Sequence, residues 1–343
     1  MKSKDSAAIP AKAVKRYDNI DKLKTLSAFL VVCIHAPFIG KTGEYFTAIA
    51  RIAVPIFFII SGYFYKDKNA VRQIKKITIL FLEASGLYLV FDVLMAFKSG
   101  GIIHFLKEAF NVGSILKLVI FNENPLYLHL WYLGAILYVF IFVSFLHYIN
   151  NKTGLNLKKL LYFSIPVLLA CDLIMGKYSI MFFGHEKPYI IVRNWLFVGL
   201  PYFSIGMLVK EKEALTKKIK KLILLIIIGV SVFTTLLERY LLEISACNAK
   251  RDHYLSTTFL AVSLFLFYMY YVQSKDTILS RIGRKDSTWI YILHPMVISV
   301  LRKAFEVIGV SKVINYIFPI VIFAVTALTV EVITTIRKKL SVH

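Results

Sequence analysis

Acidic residues and cysteines are both scarce in this chain. Only 20 Asp and Glu stand against 42 Lys and Arg in 343 residues, and the three cysteines, Cys33, Cys171 and Cys247, lie in separate segments without CxxC spacing. Neither a disulfide framework nor a cysteine zinc site can be built from them, so they read as small apolar fillers and no metal site is expected. Nothing marks a second domain, and one membrane domain is expected: the longest stretches outside apolar runs are the first 22 residues and the segment 98–125, which itself contains an amphipathic piece over 102–110. No internal repeat of matched length is present, and the paired broken helices of an inverted-repeat transporter are missing. After the basic N-terminus the apolar run enters a helix with a polar face and meets no small-residue cleavage site, so the first span is expected to be an uncleaved anchor.

Apolar residues fill the remaining space. At 58% hydrophobic, 15% aromatic and a mean hydropathy of +0.67, the chain has more apolar surface than one soluble core of its length could hide. The fold class is therefore all-α, a polytopic membrane helix bundle whose first partner is the lipid bilayer. Ten runs of spanning length are expected, at 23–40, 46–65, 76–97, 126–148, 158–175, 190–209, 220–237, 254–273, 288–306 and 313–336. They divide the chain into a basic N-terminus (1–22), one transmembrane domain (23–336) and a tail (337–343).

A formal charge of +22 raises the question of nucleic acid. The basic residues do not gather on one surface; 28 of the 42 fall on one alternating set of segments between spans and 12 on the other. By the positive-inside rule this predicts both termini in the cytoplasm, consistent with an even span count, and removes nucleic acid as a partner.

Charge inside the spans is the informative exception, because a buried ionisable group is costly unless it is used. Lys24, Ser27 and His35 share one face of the first helix: eleven residues from Lys24 to His35 are ~20° past three full turns, and ~16 Å deeper. With orientation fixed, His35, Arg51, Asp92, His129, Asp172 and Arg193 fall toward the outer half and Glu83 and His294 toward the inner half. Six such groups on one side predict a polar cavity opening outward. Arg51 with Asp92, or Arg193 with Asp172, read equally well as interhelical ion pairs, and His129 and Asp172 as groups solvated at the outer interface. On the cytoplasmic side, Lys66, Lys68, Arg72, Lys75 and Lys76 form a basic hairpin. Arg72 and Lys75 are three apart on one face of a helix start, which suits a ligand with several phosphates.

Several motifs now carry a resemblance. Asp21-Lys22-Leu23-Lys24 with His35 eleven residues later, Pro55-Ile56-Phe57-Phe58-Ile59-Ile60-Ser61-Gly62-Tyr63, Leu130-Trp131-Tyr132-Leu133, Phe203-Ser204-Ile205-Gly206 and Ile290-Tyr291-Ile292-Leu293-His294 occur in this order. Together they make the chain similar to the acyltransferase 3 family of bacterial integral-membrane acyltransferases. Lys24 and Lys75 stand where the family generally has Arg, which keeps the charge and loses the planar fork. No hydrolase-like domain is expected beyond the last span.

The resemblance implies transfer of an acyl group, usually acetyl from acetyl-CoA as donor substrate, to a hydroxyl of a surface glycan or its lipid-linked precursor, in the bacterial cytoplasmic membrane. A sugar hydroxyl needs a base near neutral pKa, and imidazole fits. His35 is the expected base, with an acyl-imidazole on it as a variant. Arg51 or Arg193 would stabilise the oxyanion, Lys24, Arg72 and Lys75 would hold coenzyme A phosphates, and His294 and Glu83 are secondary candidates. The competing class is a transporter or flippase for a glycan or lipid-linked intermediate. Acylation of an amino acid, small metabolite or membrane lipid is a further alternative.

Overall fold

The computed structural model of the chain describes residues 16–99, 101–310 and 314–340, so parts of the N-terminal segment 1–22 and of the tail 337–343 lie outside the described residues. Among the described residues, the ten expected runs fall largely on helix. They are α1 (Asp18–His35), α2 (Gly40–Ala50) joined to α3 (Ala53–Tyr63), α4 (Ala70–Ser99), α7 (Trp131–Thr153), α8 (Leu157–Met175), α11 (Leu200–Glu211), α13 (Lys221–Ile244), α14 (Thr257–Tyr271), α16 (Ser287–Ile308) and α17 (Phe318–Leu340). Between them lie α5 (Ile102–Ala109), on the expected amphipathic piece, α6 (Val112–Phe121), the short helices α9 (Ser179–Phe183), α10 (Tyr189–Val192) and α12 (Glu213–Thr216), and α15 (Ile278–Lys285).

Among the described residues, five helical stretches are long and apolar enough to cross a membrane: Gly40–Tyr63, Asp67–Phe97, Leu128–Thr153, Lys221–Ile244 and Phe318–Arg337. The other runs fall short for visible reasons. The helices α11 and α14 have only 12 and 15 residues, and α1 opens on Asp18, Asp21, Lys22 and Lys24.

The centre of the bundle is α1, which packs against α2, α3, α14, α15, α16 and α17 and buries Leu23, Val31, Val32 and Cys33. All three cysteines are free thiols. A second crossing joins α3 to α11 with almost no space between backbones. A Cβ on Gly62 would lie 1.9 Å from the Phe203 carbonyl oxygen, and one on Gly206 would lie 2.1 Å from that of Ile59. Two glycines thus let two helices approach to backbone contact, the small-residue packing expected where lipid supplies no hydrophobic drive between helices.

Prolines stand in the helices that carry the polar residues. Proline has no N–H and its ring clashes with the carbonyl four residues earlier. Pro55 acts on Arg51, and the span Gly40–Tyr63 is interrupted between Ala50 and Ala53. Pro201 acts on Phe197, where the chain widens into a π turn (Trp195–Gly199) in which the Val198 and Gly199 amides both donate to the Asn194 carbonyl, at 3.2 and 3.3 Å. Pro295 lies inside α16 and frees the carbonyl end of the turn containing Tyr291.

Candidate active site

His35 ends α1, where the helix leaves the core, and its imidazole is half-buried. It shares a small cavity with Arg51, His129, Arg193, Asp252, His253 and Tyr291. The free space there is about 30 Å³, enough for a reacting group and not for a sugar ring. The His294 ring lies against His35 with centroids 5.0 Å apart, and the His129 ring lies 5.6 Å from that of His294.

The two companion histidines have defined tautomers because each bonds a carbonyl, which can only accept. His294 Nδ1–H donates to the Ile290 carbonyl at 3.1 Å, one turn back on its own helix. Its Nε2 is buried without a hydrogen-bond partner among the described residues and carries the lone pair. His129 Nε2–H donates to the Ile292 carbonyl at 3.2 Å, leaving Nδ1 without a hydrogen-bond partner among those residues. The Tyr88 hydroxyl donates to the same Ile292 oxygen at 2.8 Å. Both carbonyls belong to α16, so one helix supplies the acceptors that hold both rings.

Arg51 and Arg193 are joined by one carboxylate. Arg51 Nη1 bonds Asp252 Oδ1, Arg51 Nη2 donates to the Lys250 carbonyl at 3.1 Å, and Arg193 Nε lies 3.6 Å from Asp252 Oδ2. That last distance is too long for a hydrogen bond, so Arg193 Nε has an ion-pair contact and, among the described residues, no hydrogen-bond partner. Trp131 lies under the Arg193 guanidinium at 4.9 Å. Two guanidiniums against one carboxylate leave one positive charge uncompensated beside His35. Such a charge is suited to an oxyanion.

Asp252 belongs to the loop between α13 and α14, and that loop is pinned from α8. His253 Nδ1 bonds Asp172 Oδ2, and Lys177 donates to the Arg251 carbonyl and, at 3.3 Å, to that of Ala249. Lys177 also lies 3.5 Å over the Tyr254 ring, and Asn248 Nδ2 donates to Ser179 Oγ at 2.8 Å. Burial pushes the Asp252 carboxyl up, but Arg51 and Arg193 outweigh it and hold it well below the usual carboxylate range. Burial likewise disfavours a charged His253, and the Asp172 carboxylate outweighs it and raises the imidazole pKa above its ordinary value.

Sequence reading located His35, Arg51 and Arg193, and the three meet in one cavity. Its proposed ion pairs were not the ones formed: Asp252 takes both arginines, Asp172 takes His253, and Asp92 sits half-buried on α4 away from both. His129 and Asp172 are buried, at 3% and 6% exposure, rather than solvated. His294, expected in the inner half, lies against His35, and α15 folds against the start of α1 with Gly283 on the Asp21 carbonyl, so α16 begins already buried at Ser287. Asp252 and His253 were missed altogether, since an Arg-Asp-His run in an outer loop looks like ordinary solvated charge.

The other candidates lie elsewhere. Lys24 Nζ bonds Asp21 Oδ1 at 2.9 Å, and Asp21 and Asp18 also hold Arg284, at 3.3 and 2.8 Å. Ser27 is fully buried with an unpartnered hydroxyl. Arg72 and Lys75 are exposed on the first turns of α4, and Glu83 is exposed further along the same helix among Leu82, Leu87 and Val90. A cavity of about 960 Å³ between α13 and α14 is walled by aliphatic side chains such as Ile226, Val230 and Leu237, and no imidazole lines it. Among the described residues no group of His, Cys, Asp or Glu converges on a metal position.

Two curated proteins from Enterococcus faecalis, each named amino-acid racemase, are similar to this chain. One is 24% identical over 361 aligned positions, covering 95% of this chain and 47% of that protein; the other is 35% identical over 131, covering 35% of this chain and 17% of that protein. The chain thus spans about half the length of the first relative and a smaller part of the second. No solved structure matches. A family model described as an acyltransferase domain matches residues 17–336, nearly the whole chain and every helix of the site. The chain belongs to the acyltransferase 3 family and carries its membrane-type acyltransferase domain.

Proposed function

We propose that this protein moves an acyl group, acetyl in the simplest case, from acyl-CoA in the cytoplasm to a hydroxyl of a cell-surface polysaccharide or its lipid-linked precursor. In this reading it sits in the bacterial plasma membrane with ten spans and both ends of the domain cytoplasmic. The observation that carries it is the meeting of a half-buried imidazole, His35, with two arginines that share one carboxylate. An imidazole is the side chain best matched to handling a hydroxyl proton near neutral pH, and the surplus positive charge offsets the oxyanion of the tetrahedral intermediate. His294 is in contact with His35 and has a free Nε2 lone pair, so it is suited to take up the ring proton of His35. Arg72 and Lys75, exposed at the start of α4, would meet the phosphates of coenzyme A, with Lys24 contributing less because Asp21 already engages it.

The racemase named in the two relatives is a property of proteins more than half of which lie outside the match, and we leave it with them. The competing class is a transporter or flippase of a glycan intermediate, which would ignore a thioester. Purified protein in liposomes, given labelled acetyl-CoA and a surface-glycan extract, tests the choice. Label reaching glycan in the wild type and not in His35→Ala supports the acyltransferase. Absence of thioester consumption with every acceptor, beside glycan movement across the bilayer, would replace it with the transporter.

A further inference from the structure

The cavity holds a second imidazole built like a base. His253 lines it together with His35, and its Nδ1 is held by Asp172 on α8. A carboxylate can only accept, so Nδ1 is the protonated nitrogen and Nε2 is left as the ring's remaining functional atom. Both partners are buried, at 7% exposure each, which fixes the ring's direction. The arrangement has the logic of a histidine oriented by a buried aspartate. Its neighbour Asp252 is tied to Arg51 and Arg193, so the imidazole and the surplus positive charge are delivered to the cavity by consecutive residues of one loop. Lys177 and Asn248 fasten that loop to the turn after α8, so loop and Asp172 move as one unit.

We propose that the two imidazoles divide the reaction: His35 carries the acyl group, and His253, positioned by Asp172, deprotonates the acceptor hydroxyl that removes it. The inference rests on the acyltransferase reading above and selects its covalent variant. In the first step a His35 ring nitrogen attacks the thioester carbonyl, the C–S bond breaks, and the thiolate leaves and takes the proton that the ring gives up. In the second, the acceptor oxygen attacks the acyl-imidazole carbonyl and the C–N bond breaks. The hydroxyl proton passes to His253 Nε2 and is returned by way of solvent in the cavity to the departing His35 ring. No oxidant, metal or further reactant is needed, and His35, acylated through its own nitrogen, does not have to serve as base in the same step. Asp172 touches no substrate and is a positioning residue.

The test separates the two steps using the full chain in liposomes with labelled acetyl-CoA. In His253→Gln, coenzyme A release is expected to continue to about one equivalent per protein, label is expected to remain on the protein in hydroxylamine-labile form, and transfer to glycan acceptor falls by about 10²-fold or more. Asp172→Asn should show the same split with a smaller loss, which a merely structural defect would not produce. Added imidazole should restore transfer to a His253→Ala variant. Normal transfer in His253→Gln overturns the proposal, and so does parallel loss of coenzyme A release and transfer in Asp172→Asn with no label held on protein. If the wild type transfers acetyl but no variant ever holds label, the covalent division fails while the acyltransferase stands. A wild type that releases no coenzyme A fails the acyltransferase reading itself.

Discussion

His35 and His294, from α1 and α16, lie with ring centroids 5.0 Å apart, and His294 Nδ1–H is turned back onto the Ile290 carbonyl of its own helix. His35 is therefore the ring left to meet substrate, and His294 its neighbour with a spare lone pair. His35→Gln is expected to lower acyl transfer by about 10²- to 10⁴-fold, the range of a lost acid–base or nucleophilic group, at unchanged protein level. His294→Gln should lower it less and leave thioester binding intact. Radiolabel transfer under saturating donor distinguishes these outcomes, and full activity in His35→Gln would remove His35 from the chemistry.

Gly62 and Gly206 make a different prediction because their role is packing. Each occupies the place where a Cβ would strike the partner helix's backbone, at 1.9 and 2.1 Å. Backbone cannot swing aside as a side chain can, so Gly62→Ala or Gly206→Ala must push α3 from α11 and is expected to destabilise the domain by about 1–3 kcal/mol or more. Thermal unfolding in detergent checks this. A drop in midpoint with residual specific activity per folded molecule is expected, whereas an unchanged midpoint would show that the crossing is looser than the geometry indicates.

How far the sequence reveals this site depends on the residue. His35, Arg51 and Arg193 are legible because charge in an apolar run is costly wherever it stands, and Gly62 and Gly206 because they lie in recognisable motifs. Asp252 and His253 are not, since a charged loop residue carries no such penalty until the fold buries it. His294 is visible as a residue, but its contact with His35 is not, because it depends on α15 folding onto α1, which sets where α16 begins.

Arg72 and Lys75 are exposed, unlike the arginines of the cavity, and so report on the donor rather than on the fold. Arg72→Ala is expected to raise the KM for acetyl-CoA several-fold with little change in acceptor KM or unfolding temperature, and Arg72→Lys should recover only part of the loss because the bidentate fork is gone. The effect should shrink as salt is raised. Steady-state kinetics with each substrate varied in turn provides the check, and an acceptor-specific defect would move these residues out of the donor site.

Asp252 closes the arginine pair, and removing it leaves two guanidiniums facing each other in a buried cavity. Asp252→Ala should therefore cost about 3–5 kcal/mol, the range for breaking one partner of a buried ion pair, while Asp252→Asn keeps shape without charge. The pH dependence follows from the same contacts. Although burial alone would raise the Asp252 pKa, Arg51, Arg193 and His253 around it, with the Tyr189 hydroxyl, hold it below the ordinary 3.8. A carboxyl whose folded pKa is depressed contributes stability that is complete above its unfolded pKa and is lost as pH falls through the folded value. The stability advantage of wild type over Asp252→Asn should thus be constant from neutral pH down to about pH 5 and shrink only below about pH 4. Unfolding midpoints of both proteins between neutral and acidic pH measure it, and an advantage that already fades near pH 6 would assign the dependence to a histidine instead of this carboxylate.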